Sequence, residues 1–133
     1  MKISLAVPFI LAAVAAAHPV MVSASPVAAK ETQVLQRIRL EGTDRELGMG
    51  IAEFPPNAEK PRHMATGPEL AYVLEGELII QVDGEPVKVL HAGGSYQLAA
   101  NVVHVTKAGP AGAKVIASWV HVPGKAFNIL VPR

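Results

Sequence analysis

The chain contains no cysteine. It can form no disulfide and carry no cysteine-linked lipid anchor, so burial of apolar surface alone must hold its fold. Charge of one sign is also missing: twelve Lys and Arg stand against eleven Asp and Glu, and removal of Lys2 with a leader makes them equal. A phosphate-binding protein shows a basic face or stripe, whereas "RIRLEGTDRELG" mixes signs as a solvated surface does; no nucleic-acid partner is expected. No apolar run reaches the roughly 20 residues that span a bilayer. The longest, residues 3–17, is interrupted by Pro8 and ended by His18-Pro19.

That run follows Lys2 and precedes small residues at Val22 and Ala24, the pattern of a secretory signal peptide. Residues 1–24 are therefore read as a leader cleaved after Ala24, with cleavage after Ala29 as the alternative. The expected destination is secreted or periplasmic, without stable membrane insertion. Residues 25–32 are small, polar and Pro-containing, as in a flexible leader, and residues 33–133 make up one domain.

Long stretches of helical period are absent as well. Short apolar runs follow one another instead: "QVLQRIRL", "LGMGIAEF", "ELAYVLEGELIIQV", "EPVKVLHAG", "GSYQLAA", "VVHVTKA" and "AKVIASWVHV". Each reads as a strand. Between them, Asp83-Gly84, Gly93-Gly94 and "AGPAG" supply turns in which positive φ costs little. The spacing predicts an all-β sandwich or barrel. "FPPNAEKPRH" holds three prolines that cannot donate ladder hydrogen bonds, which predicts a loop or edge segment. For "GKAFNILVPR" an edge strand and a tail across the barrel both fit.

The candidate chemistry sits in "PRHMATGPELAYVLEGEL". In an extended segment His63 and Ala65 face the same way. Glu69 follows after a turn, and its strand places Glu69, Ala71 and Val73 on one side and Leu70, Tyr72 and Leu74 on the other. A carboxylate on an apolar face needs a partner, a hydrogen bond or a metal. Downstream, "AGGSYQLAANVVHV" returns His104 among valines.

This arrangement resembles the cupin family. Its first motif is G-x5-H-x-H-x3,4-E-x6-G, which His63, Glu69 and Gly76 match, while Ala65 replaces the second histidine and Asn57 the opening glycine. Its second is G-x5-P-x-G-x2-H-x3-N, matched by Gly93 or Gly94 and His104, with Ala99, Asn101 and Ala108 at the other positions. The resemblance covers nearly all of residues 33–133 and implies a small jelly-roll-like cupin β-barrel. It also implies a metal, often iron, manganese, zinc or nickel, held in the family by three histidines and a glutamate.

His63, Glu69 and His104 are thus the candidate metal ligands. Such a set leaves open coordination positions that suit divalent Fe, Zn, Mn or Ni. Ala65, Val73, Tyr96 and Leu98 are the expected pocket lining, and Tyr72 and Trp119 the expected core aromatics. His121 matches neither motif and is expected outside the cavity, with His91 at the surface. Two main functions stay open: a metal-dependent protein acting on a small molecule, and a metal-free cupin that binds a small ligand. A merely structural secreted module is the third. Family habit and the edge strand near Val34 imply a homodimer.

Overall fold

The computed structural model describes residues 19–21 and 24–133. Most of the predicted signal peptide, with His18 and Val22, lies outside the described residues. All of the named elements are strands: β1 (Gln33–Arg39), β2 (Glu46–Phe54), β3 (Glu59–Ala65), β4 (Glu69–Val82), β5 (Lys88–His91), β6 (Ser95–Leu98), β7 (Val103–His121) and β8 (Asn128–Leu130). Among the described residues no helix is long and apolar enough to cross a membrane.

The register shows how one sheet becomes a barrel. β4 and β7 pair along two limbs, Glu69–Gly76 against Trp119–Ala113 and Leu78–Val82 against Ala108–His104. One limb of this pair is flanked by β2 and β6, with β1 outside β2. The other is flanked by β3 and β5, with β8 outside β3. The sheet therefore divides into a layer β1-β2-β7-β4-β6 and a layer β8-β3-β7-β4-β5, joined where β4 and β7 bend. Their inward side chains meet in one core that includes Phe54, Val73, Leu78, Ile80, Leu98, Val115 and Trp119. Burying each large aliphatic side chain stabilises the fold by about 1.5–3 kcal/mol. This is the jelly-roll-like β-barrel that the sequence predicts.

The bend explains the first departure from the sequence reading. "AGPAG" does not separate two strands; β7 runs through it. Between the pairs Gly76↔Ala113 and Leu78↔Ala108, β7 has more residues than β4 and bulges outward. Pro110 is tolerated there because its missing N–H faces no ladder partner. Gly76 has φ 76°, and a Cβ on it would collide with the carbonyl oxygen of Gly112.

"FPPNAEKPRH" is the second departure. Its latter half is strand β3, with Pro61 accommodated where the pairing to β7 shifts register between Lys60 and His63. The C-terminal segment proves to be an edge strand, β8, paired with His63–Ala65. Asp83-Gly84 does occupy a turn, closed by the Glu85 N–H donating to the Val82 carbonyl at 3.1 Å.

Residues 27–30, expected in a flexible leader, are hydrogen-bonded to the barrel. The Glu59 N–H donates to Val27 O (2.8 Å), and the N–H groups of Ala29 and Lys30 donate to Glu59 O and Glu53 O. Tyr72, expected in the core, is 46% exposed, because the alternation that buries Ala71 and Val73 turns it outward.

Candidate functional site

A cavity of about 240 Å³ lies inside the barrel, and His63, Glu69, Tyr96 and His104 all line it. His63 and His104 face each other as register partners of β3 and β7, with ring centroids 4.2 Å apart. Each ring is held the same way. Nδ1 of His63 lies 2.7 Å from the Pro61 carbonyl, and Nδ1 of His104 lies 2.9 Å from the Val102 carbonyl. A carbonyl only accepts, so Nδ1 carries the proton and donates in the neutral form of each ring. Nε2 then bears a free lone pair, the form in which imidazole binds metals. Burial, reinforced by His104 and Lys60 and opposed by the Pro61 hydrogen bond, lowers the pKa of His63 to about 4. This ring is neutral at pH 7.

Glu69 comes from the other layer. Tyr96, opposite Ala71 and so diagonal to Glu69 on the neighbouring strand, donates its hydroxyl to Glu69 Oε1 at 2.9 Å. Burial first, and then the charge and hydrogen bond of Glu69, raise the Tyr96 pKa well above that of free tyrosine, so the phenol stays a donor. Glu69 therefore satisfies its inward position through Tyr96. Among the described residues no three His, Cys, Asp or Glu side chains are grouped closely enough to hold a metal ion. In its neutral form each of the two imidazoles keeps Nε2 free for a metal. Glu69 shares their cavity, with its Oε1 accepting from Tyr96.

Of the expected pocket lining, Tyr96 reaches this cavity; Ala65, Val73 and Leu98 are buried but form no part of its wall. Ala65 and Val73 follow their strands' inward alternation, but their small side chains pack into the core. The rest of the wall includes Trp119, Phe127, Lys60 and Lys125. His121, expected outside, also lines it and is only 8% exposed. Its Nε2 lies 3.3 Å from Glu46 Oε1. His91 is at the surface, near Glu77.

Residues 50–121 match the Cupin domain family. The chain is a cupin. Dimethylsulfoniopropionate lyase DddW of Ruegeria pomeroyi is 35% identical to it over 85 residues, 62% of this chain and 55% of that protein. The cupin thus spans about half the length of the curated relative it matches. The crystal structure of DMSP lyase DddQ from Ruegeria pomeroyi aligns with a TM-score of 0.59 at 20% identity, over 64% of this cupin and 43% of that chain. An RmlC-like cupin from Shewanella frigidimarina aligns with a TM-score of 0.53 at 24% identity, over 74% and 97%. At these identities the two structures speak for the fold.

Within this cupin, the departures from the two motifs are of different kinds. Asn57 and Asn101 stand at glycine positions and have φ of 58° and 64°. Asparagine tolerates that left-handed region better than other side chains, so the backbone geometry is kept. Ala65 removes an imidazole from the first motif. The residue that motif matching missed is His121, although Val115, Ala117, Trp119 and His121 alternate along β7 and all line the cavity. Placing Trp119 in the core should have brought His121 inside with it.

Proposed function

We propose that this cupin uses His63 and His104 to hold a divalent transition metal, Fe, Mn, Zn or Ni, and acts on or binds a small molecule in the same cavity. The observation that carries this reading is the matched pair of imidazoles, each with Nδ1–H tied to its own backbone and Nε2 bare. Glu69, whose Oε1 accepts from Tyr96, would be the third ligand. A metal held there supplies Lewis acidity to a bound substrate. The chain's own groups do the rest: Trp119 and Phe127 exclude water, Tyr96 donates a hydrogen bond, and Lys60 and Lys125 offer positive charge to an anionic group. Similarity to a protein named as a dimethylsulfoniopropionate lyase supports a small-molecule substrate. We also propose that the protein is exported.

Calorimetric titration of the metal-stripped protein with Zn(II) and Mn(II) tests the site. One equivalent is expected to bind, and His104→Ala is expected to abolish that binding. His63→Ala should weaken it at least about tenfold, equivalent to roughly 1.4 kcal/mol. If the natural protein binds neither ion, or neither substitution changes its binding, the metal reading fails. The metal-free, ligand-binding cupin then takes its place.

A further inference from the structure

The barrel's two outer faces differ in kind. On the layer β1-β2-β7-β4-β6, the side chains that point away from the core form aligned rows across the sheet. Ile38, Leu47 and Val120 make one row. Met49, Ser118, Leu70 and Gln97 make the next, and Ile51, Ile116, Tyr72 and Ser95 the third. No charged side chain interrupts them. Charge returns in the row beyond, where Lys114 stands between Glu53 and Glu75. The outer face of the other layer, by contrast, carries Arg62, Glu77 and Lys107.

Leu70 is 60% exposed, and Ile38, Leu47, Tyr72 and Leu74 are also exposed. Together these five leave on the order of 500 Å² of apolar surface open, near the upper end of what a monomer carries. Half-buried Met49, Ile51, Ile116 and Val120 lie between them, so the whole face approaches the roughly 800 Å² that each partner gives to a standard interface. A shallow groove of about 510 Å³ lies on it. Met49, Ile116, Ser118 and Gln97 line the groove with Leu70 and Tyr72, and no charged residue does. An uncharged face selects no partner by the sign of its charge. A membrane surface calls for a basic rim, whereas this rim alternates Glu53, Lys114 and Glu75. An apolar ridge, Leu70 and Tyr72, beside an apolar groove complements itself across a two-fold axis.

We propose that this outer face is the contact between two copies of the chain, joined face to face about a two-fold axis, with Leu70 and Tyr72 of each copy seated in the groove of the other. The apolar centre leaves water, and the ion-paired row of Glu53, Lys114 and Glu75 stays at the wet rim. β1 takes part through Ile38 at the margin of the face rather than through its open backbone edge. The contact needs neither a metal nor the cavity inside the barrel.

Sedimentation velocity on the whole protein at micromolar concentration tests the proposal. The natural protein is expected at twice the mass of one chain. Leu70→Lys and Tyr72→Lys each place a charge at the centre of the contact and should weaken the dimer at least about thirtyfold. Both positions are open in the single chain, so the far-ultraviolet circular dichroism of each variant should match that of the natural protein. Should either fail to fold, Leu70→Ser removes the apolar ridge without adding charge. Val89→Lys, on the exposed outer face of the other layer, should leave the mass unchanged. Leu70 is separated from β1 by β7 and β2, so a dimer paired only through the β1 edge would not respond to Leu70→Lys. A monomeric natural protein, a dimer that survives the substitutions in folded variants, or one equally broken by Val89→Lys overturns the proposal.

Discussion

A buried imidazole resists protonation, and His63 shows this. Its pKa is lowered to about 4, chiefly by burial, against about 6.5 in an unfolded chain. Between those values the unfolded chain binds a proton that the folded chain does not, so acid favours unfolding. The stability contributed by a neutral His63 is fully present above pH 6.5 and is lost as pH falls toward 4. The loss is on the order of 3 kcal/mol. Urea denaturation of metal-free protein at pH 7 and pH 4.5 measures it, and His63→Gln should remove most of the difference. An equal acid sensitivity in that variant would place the effect on other groups. The spacing of His63, Glu69 and His104 was legible in the sequence. The hydrogen bond from Tyr96 that occupies Glu69 was not, because Leu98 and Tyr96 reach Glu69 and Ala71 only through sheet pairing.

At the scale of elements, the site depends on two bends that composition describes poorly. Pro61 marks the register shift in β3, and its carbonyl holds the His63 ring. Gly76 and Gly112 let β4 and β7 pass from one layer to the other. Gly76→Ala combines positive φ with a clash against backbone, and should cost at least about 2 kcal/mol. Asn101→Gly should change stability by no more than about 0.5 kcal/mol, since its left-handed backbone suits glycine. Denaturant midpoints of the two variants against the natural chain check both. Comparable losses would show that the left-handed position is not what distinguishes them. The strands themselves were legible from alternation. The continuity of β7 was not, because a Gly-Pro cluster looks alike in a turn and in a bulge.

For the molecule as a whole, the start of the folded chain bears on export. Cleavage after Ala24 keeps the Val27 carbonyl and the Ala29 N–H that pair with Glu59; cleavage after Ala29 removes both. We therefore propose Ser25 as the first residue of exported protein, to be read by N-terminal sequencing. A chain begun at Lys30 should be less stable by about 1–2 kcal/mol, the worth of two exposed-edge hydrogen bonds. A sequence starting at Lys30, or an intact Met1, would count against the proposal. β1 remains an edge strand with Ile38 64% exposed, the edge the sequence offers to a second copy.

Alternation of apolar residues, turn chemistry and motif spacing are local properties of the chain. They determined an all-β domain, the inward faces of its strands and the candidate trio His63, Glu69 and His104. Which inward groups touch depends on register, bulges and layer pairing among residues far apart in sequence. Tertiary structure alone decided that Tyr96 takes Glu69, that His63 and His104 stand ring to ring, and that Glu46 meets His121. The last pair joins residues near the two ends of the barrel sequence, and no spacing rule spans that distance.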